Sequence, residues 1–318
     1  QAPSARERVG RRQPDARLAM ERNAVSKPLV WAHRGASSMA PENTLAAFRR
    51  ALEVGADGVE LDVHLTSDGQ VVVMHDASVN RTTSGTGLVA DMTLRELRAL
   101  DAGAWYSAEF AGERVPLLRE VVDLALGWPG SRRLLIELKG PHTGLPWICR
   151  AASQRLGIFH CPPAYEGLAA AVANVLEAYQ PAVDSRQLLV QSFHRPYLDE
   201  LRRHVPSLEL IYLSVFARPR WLEKEDMESA AFGFGVAVRF AFLSADTASR
   251  LQICRRLFVW TLDSEADLCR AFGMGVDGVI TNRPDLALRL LAGERMVTQR
   301  RQSRRSMRCC SRKAEKAA

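Results

Sequence analysis

Eight short apolar runs recur along the chain, and amphipathic helical stretches separate several of them. Apolar strands that alternate with helices are typical of a parallel sheet buried on both faces. Eight strands is the number found in a TIM (β/α)8 barrel, so the pattern predicts an α/β fold of that kind. The runs are 28–33, 58–63, 133–138, 187–193, 208–213, 234–238, 257–262 and 277–282.

A ninth apolar run, residues 71–75, follows the second strand too closely to be the next barrel strand. A parallel crossover needs a dozen or more residues, whereas a short polar turn around Asp68-Gly69 joins these two runs. The ninth run must therefore fold back antiparallel, and residues 76–113 are expected to form a small insertion after the second barrel strand. A doubly wound open sheet is the alternative, but no glycine-rich phosphate motif follows the first strand.

Basic charge is concentrated at the two ends of the chain. Residues 1–27 carry a net charge of +4 and residues 293–318 carry +7, so the body, residues 28–292, carries −4 although the whole chain carries +7. A mildly acidic body argues against nucleic acid as a partner. We expect both tails to be disordered and solvated, and weak peripheral contact with an anionic membrane is the alternative. The oligomeric state stays open.

Cysteine usage favours a reducing compartment. No pair of cysteines has the two-residue gap of a zinc or redox motif, and we interpret Cys149, Cys161, Cys254 and Cys269 as packing thiols. No apolar run approaches the roughly 20 residues of a membrane span. A cytoplasmic protein, peripheral to a membrane at most, is therefore expected.

Three carboxylates lie near the ends of neighbouring predicted strands, where the active sites of such barrels are found. Glu60 and Asp62 share one face of the second strand, and Glu137 lies near the end of the third. Converging carboxylates suit Mg²⁺ or Ca²⁺, and without a cation their repulsion would destabilise the fold. A solvated strand face is the alternative interpretation of Glu60 and Asp62. Lys139, two residues after Glu137 at the end of a buried apolar run, disfavours this alternative, because buried charges need partners.

Two histidines are candidates for proton transfer at this site. His33, followed by Arg34, closes the first strand, and an arginine can bind phosphate through two hydrogen bonds. If Asp68 and Gly69 form a two-residue turn, Asp62 lies opposite His75; a three-residue turn would shift the register by one and remove this pairing. A core histidine and a salt-bridged arginine are the alternative for His33 and Arg34.

The residues of these motifs and their order along the chain resemble those of the glycerophosphodiester phosphodiesterase family. The resembling segments span residues 30–284, and their combination is highly specific. They are "AHRGASSMAPENTLAAF" (32–48), "GADGVELDVHLTSDGQVVVMHD" (55–76), "IELK" (136–139), "QSF" (191–193), "WT" (260–261) and "GVDGVITNRP" (275–284).

The resemblance implies a TIM barrel that cleaves glycerophosphodiesters, such as glycerophosphocholine or glycerophosphoethanolamine, to glycerol 3-phosphate and an alcohol. It implies that a divalent metal, Mg²⁺ or Ca²⁺, is needed, and that a glycerol hydroxyl can take part in the attack on phosphorus. The implied roles are catalysis by His33 and His75, phosphate or substrate binding by Arg34, Lys139 and Trp260, and metal binding by Glu60, Asp62 and Glu137.

Two other functions remain open at this point. A lysophospholipase D acting at a membrane surface would keep the fold and use the basic tails, whereas a non-catalytic barrel would be expected to have lost some of these residues. Asp263 and Asn282 depart from the residues common in the family, and we expect them to alter substrate preference. Glu42 is expected to orient His33 or Arg34, and Asn43 or Thr44 to cap the helix that follows.

Overall fold

The computed structural model describes residues 27–140, 165–215, 234–251 and 256–293. The predicted tails lie almost entirely outside these residues, as do Cys149, Cys161 and Cys254. No helix within the described ranges is long and apolar enough to cross a membrane.

The eight predicted barrel strands are all present, and every strand end lies within two residues of the predicted one. A short ninth strand pairs antiparallel with the second. The strands are β1 (Leu29–His33), β2 (Gly58–Leu65), β3 (Val71–Val73), β4 (Arg133–Leu138), β5 (Leu188–Ser192), β6 (Glu209–Ser214), β7 (Phe234–Arg239), β8 (Leu257–Trp260) and β9 (Gly278–Thr281).

The barrel closes because β1 pairs in parallel with both β2 and β9. From β2 the parallel pairing continues through β4, β5, β6, β7 and β8 to β9, while β3 is antiparallel to β2. This arrangement confirms the TIM barrel and contradicts the open sheet. All eight carboxyl ends therefore meet at one mouth.

Helices cover the outside of the barrel. Large apolar residues of the helices and of the outward strand faces pack together there, among them Phe48, Leu118 and Leu198. The helices are α1 (Leu45–Glu53), α2 (Leu94–Arg98), α3 (Leu118–Leu126), α4 (Leu168–Glu177), α5 (Gln180–Asp184), α6 (Arg195–His204), α7 (Ala245–Leu251), α8 (Glu265–Gly273) and α9 (Pro284–Leu291).

The inside of the barrel has an apolar floor. Trp31 is fully buried there and packs with Phe258, Leu135 and other inward residues. Its indole fits because Gly58 and Gly278 flank it: a Cβ at Gly58 would lie 2.5 Å from the ring, and one at Gly278 2.9 Å from its nitrogen. Inward positions nearer the carboxyl ends are polar, since side chains alternate along each strand. A sealed floor beneath a polar mouth results.

The insertion after β3 has a small core of its own. Val72 and Met74 pack there with Val79, Val89 and Leu97, on the side of the hairpin that faces the insertion. Short 3₁₀ turns at Val89–Asp91 and Ala108–Phe110, together with α2, make up its regular structure. The expected excursion is thus a packed unit at the barrel mouth.

The β2–β3 hairpin has the register of the three-residue turn, so the pairing of Asp62 with His75, expected for a two-residue turn, is wrong by one residue. Val63 pairs with Val73, and the backbone of Met74, not His75, bonds that of Asp62 at 2.9 Å. A type I′ turn needs positive φ at both central residues. Only Gly69 has it, at +76°, so the turn is a three-residue loop. His75 still reaches the site, because β3 ends at Val73 and the chain bends over the following residues.

One of the thiols was also misassigned. Cys269 is free and exposed, so it is not a packing residue. It lies on α8, where a neighbouring residue, Leu268, faces the core instead.

Candidate active site

The three predicted carboxylates converge at the mouth of the barrel. One ligand oxygen of each of Glu60, Asp62 and Glu137 lies within 4.8 Å of those of the other two. The register explains this, because Asp62 pairs with Glu137 across β2 and β4, and Glu60 points to the same face as Asp62. All three side chains are buried. Three carboxyl groups are therefore confined in a small, weakly solvated space.

Their electrostatics reflect this crowding. Burial, together with the charges of Asp62 and Glu137, raises the pKa of Glu60 well above its usual value. Burial also raises the pKa of Glu137. Asp62 differs: burial opposes its ionisation, but Lys139, His75 and Arg34 lower its pKa well below the usual value.

Two cations balance part of the negative charge. The ammonium group of Lys139 lies 2.7 Å from a carboxylate oxygen of Glu137 and 2.8 Å from one of Asp62. The Nε atom of Arg34 lies 3.5 Å from Asp62, and its backbone N–H donates to Glu60 at 3.0 Å. With all five groups ionised, this inner cluster carries a net charge of −1.

The cluster fits a divalent cation on its own chemistry. Its donors are hard carboxylate oxygens at close mutual distance, the set that Mg²⁺ and Ca²⁺ prefer. One oxygen of Asp62, Oδ1, is buried and makes no geometrically good hydrogen bond, although it lies in the ion pair with Lys139. Adding a cation would also relieve the repulsion that raises the pKa of Glu60.

His33 ends β1 with one ring nitrogen engaged. Its Nδ1 atom lies 2.7 Å from Oδ1 of Asn282, just beyond β9. Desolvation in the barrel mouth lowers the pKa of His33 to about 3, with a smaller contribution from Arg34. The ring is therefore neutral near pH 7, and Nε2 makes no hydrogen bond to the part of the chain that the structure describes.

His75 is held by a chain of charged groups. Its Nδ1 lies 2.7 Å from a carboxylate oxygen of Asp76, whose other oxygen accepts from Arg81 at 2.7 Å. Arg81 also donates twice to Glu42, and Glu42 accepts from Arg34 at 2.9 Å. Arg81, which belongs to the insertion, thus connects His75, a predicted catalytic residue, to Arg34, a predicted phosphate-binding residue, through hydrogen bonds to Asp76 and Glu42. The expectation that Glu42 orients Arg34 is confirmed.

His64 shares its strand face with Glu60 and Asp62, and it contacts the backbone of His75. It is fully buried, and its Nε2 lies 3.1 Å from the backbone oxygen of His75. Its Nδ1 lies 2.9 Å from the hydroxyl of Tyr165. Burial lowers the pKa of His64 to about 4, so the ring is neutral, donates to the carbonyl and accepts from the tyrosine.

Several residues that support the site were given no individual role from the sequence. Asn43 does not cap α1, which Thr44 does; its amide donates to Asp62 at 2.8 Å. Gln191 on β5 donates to Glu60 at 3.1 Å. Its place at a strand end was the available signal, since inward positions alternate. For Arg81 the sequence held no comparable signal, because its partners are 5 and 39 residues away.

Trp260 adds an aromatic side chain to a barrel mouth that is otherwise mainly charged and polar. It ends β8 and packs edge-to-face against Phe193, with ring centroids 5.7 Å apart. The two aromatic rings form an apolar element at a strand end of the barrel mouth. Asp263 and Asn282, predicted to alter substrate preference, bond each other at 2.6 Å; their effect on preference stays a prediction.

Residues 33–146 and 156–286 match the glycerophosphoryl diester phosphodiesterase family, which accounts for most of the chain. The chain belongs to this family. A glycerophosphodiester phosphodiesterase of Caldanaerobacter subterraneus subsp. tengcongensis is 35% identical over 274 residues, which cover 83% of this chain and 98% of that relative. Membership in the glycerophosphoryl diester phosphodiesterase family makes the chain a phosphoric diester hydrolase.

Solved structures of the same kind agree with the fold. A phosphodiesterase of Oleispira antarctica, solved with the product sn-glycerol-3-phosphate, has a TM-score of 0.68 and 28% identity, covering 82% of this chain and 95% of that one. A glycerophosphodiester phosphodiesterase of Agrobacterium tumefaciens has a TM-score of 0.61 and 27% identity, covering 82% and 99%.

Proposed function

We propose that this chain hydrolyses glycerophosphodiesters to glycerol 3-phosphate and an alcohol, using a divalent cation held by Glu60, Asp62 and Glu137. The observation that carries the proposal is the buried carboxylate cluster, with its ligand oxygens within 4.8 Å of one another and two histidines, His33 and His75, at the same mouth of the barrel. Mg²⁺ and Ca²⁺ are the candidate ions.

Charge balance supports a phosphodiester as the bound group. The three carboxylates, Arg34 and Lys139 together carry −1. A divalent cation brings the cluster to +1, and a phosphodiester monoanion brings it to zero. When bound, the cation would supply Lewis-acid polarisation of a phosphoryl oxygen. Arg34 and Lys139 are placed to bind the other oxygens of the phosphate, and both stay charged at neutral pH because carboxylates contact them.

The surroundings of the two histidines suggest different roles. Burial lowers the pKa of His33 to about 3 and keeps its ring neutral, so its Nε2 suits a base that takes the proton from the attacking hydroxyl. His75 contacts the carboxylate of Asp76, which stabilises a protonated ring, so it suits an acid that protonates the departing alkoxide. One P–O bond forms, one breaks, and water is consumed overall. The hydroxyl that attacks first is that of water or of the glycerol itself.

The relatives and the residues at the mouth of the barrel support a glycerophosphodiester as the substrate. The relative from Oleispira antarctica holds sn-glycerol-3-phosphate as product, and we infer the same product here. Trp260 and Phe193 offer an apolar surface on which the carbon side of glycerol can pack. Glycerophosphocholine and glycerophosphoethanolamine are the substrates to examine first.

The test measures the rate at which the purified protein releases glycerol 3-phosphate from each compound. Mg²⁺ or Ca²⁺ is supplied, and the measurement is repeated with a chelator. His33→Gln is expected to lower kcat by about 10²- to 10⁴-fold. His204→Gln is the matched control, because it makes the same change at an exposed position at the end of α6. If no divalent ion supports hydrolysis of either compound, or if His33→Gln behaves like the control, the proposal fails.

The lysophospholipid alternative stays a prediction without a structural argument, since the tails it depends on lie almost wholly outside the described residues. Lysophosphatidylcholine in the same assay separates the two activities.

A further inference from the structure

Asp263 follows β8 at the mouth of the barrel and touches neither the carboxylate cluster nor the two histidines directly. Both of its carboxylate oxygens are used by the end of β9. Its Oδ1 accepts from the backbone N–H of Asn282 at 2.9 Å and from Thr281 Oγ1 at 3.2 Å. Its Oδ2 lies 2.6 Å from the side-chain amide of Asn282.

The orientation of the Asn282 amide follows from chemistry alone. An ionised carboxylate only accepts hydrogen bonds, so the atom of Asn282 that faces Oδ2 must be the NH₂ group. The amide oxygen must then point the other way, toward Nδ1 of His33 at 2.7 Å. The hydroxyl of Ser37 contacts the same oxygen at 2.8 Å and also donates to the His33 backbone oxygen at 2.9 Å.

An amide oxygen can only accept, so the ring nitrogen facing it must carry the proton. We propose that Asp263 is a positioning residue that, through Asn282, holds His33 in the tautomer with the proton on Nδ1. Nε2 of a neutral ring then has its lone pair free and can act as a base. The inference deepens the proposed function, because it rests on the assignment of His33 as the base.

Asp263→Asn tests the relay with little change in shape. Asparagine keeps an oxygen for the backbone N–H of Asn282, but it places an NH₂ group where Oδ2 was. Two facing NH₂ groups repel, so the Asn282 amide turns over and offers its own NH₂ to Nδ1 of His33. The proton of His33 is then expected to move to Nε2, which removes the base.

Nitrogen-15 NMR of the imidazole rings reports the tautomer, because a protonated ring nitrogen and a bare one resonate far apart. The chain has seven histidines, and His33→Gln identifies the resonances of His33. The wild type is expected to show a protonated Nδ1, and Asp263→Asn a protonated Nε2. For Asp263→Asn we expect kcat to fall about tenfold or more, with KM changed by less than about threefold.

The double variant Asp263→Asn/Asn282→Asp restores the relay in reverse, since the new amide at 263 donates to a carboxylate at 282 that accepts from Nδ1. It should return the proton to Nδ1 and recover most of kcat. Asp267→Asn is the control: it makes the same change on α8, where Asp267 bonds Ser264 and pairs with Arg270.

A wild-type protein protonated on Nε2, or an Asp263→Asn variant still protonated on Nδ1, overturns the relay. If Asp263→Asn does not fold, the wild type and the double variant decide by the same measurement. A tautomer that moves while kcat stays unchanged upholds the relay and contradicts the assignment of His33 as the base. The failure of the inference is thus distinguished from that of the proposed function.

Discussion

Single side chains in this barrel mouth are held by charge-assisted hydrogen bonds. Glu42 is the clearest example, because it accepts from both Arg34 and Arg81. Burial alone would raise the pKa of its carboxyl, but the hydrogen bond and charge of Arg81, with Arg34, lower it to about 2. Its ordinary value is 4.5. A lowered folded-state pKa means that the ionised group stabilises the fold above the unfolded-state value and loses this effect in acid.

Glu42→Gln is therefore expected to destabilise the protein at pH 7 by up to about 3 kcal/mol. The difference in unfolding free energy from the wild type should shrink as the pH falls from about 4.5 toward about 2. Chemical denaturation at several pH values measures it. Glu53→Gln is the matched control, since Glu53 forms an exposed pair with Arg50 and should contribute less than about 1 kcal/mol. A pH-independent loss in Glu42→Gln would contradict the ion-pair account.

The elements that carry the site depend on close backbone approaches. Gly35 follows Arg34 in the loop after β1, with φ at +80°, and it packs directly on the first turn of α1. A Cβ at this position would lie 2.7 Å from the backbone carbon of Ala47. Glycine lets the loop approach the helix, and this approach places Arg34 beside the carboxylates.

Gly35→Ala is expected to cost about 3 kcal/mol or more in unfolding free energy, from overpacking added to a positive φ. Gly55→Ala provides the control, because its φ is +89° but no atom lies within 4 Å of an added Cβ. That variant should lose only about 1–2 kcal/mol. Equal losses in the two, measured by denaturant titration, would mean that crowding against Ala47 is unimportant.

The sequence predicted an element where its apolar pattern was clear, and it predicted a site residue where that residue lay at the end of a strand. The eight strands were found because buried parallel strands are uninterrupted apolar runs, and Glu60, Asp62 and Glu137 because carboxyl ends meet at one mouth. The hairpin register was not found, because Asp68-Gly69 suits two turn types that differ by one residue. Arg81 was not found either, because its role depends on how the insertion packs.

In the whole molecule, the polar site lies at the carboxyl ends of the barrel strands, and apolar side chains fill the barrel beneath it. Trp31 and its neighbours close the barrel below, and the insertion covers part of the mouth with Arg81. The buried carboxylates fit the divalent cation that we propose, and this cation, with Arg34 and Lys139, would bind the phosphodiester. A cytoplasmic location and membrane contact through the tails stay predictions, which fractionation and liposome sedimentation of the full chain test.

The central claim is that the carboxylate cluster holds a divalent cation on which hydrolysis depends. Chelator-treated protein is titrated with Mg²⁺ or Ca²⁺ while release of glycerol 3-phosphate from glycerophosphoethanolamine is followed, in the wild type and in Glu60→Gln. We predict turnover that rises from near zero and saturates in the wild type, with a midpoint at least about tenfold higher in Glu60→Gln. Full turnover of the chelated wild type, or the same midpoint in both proteins, would contradict the account.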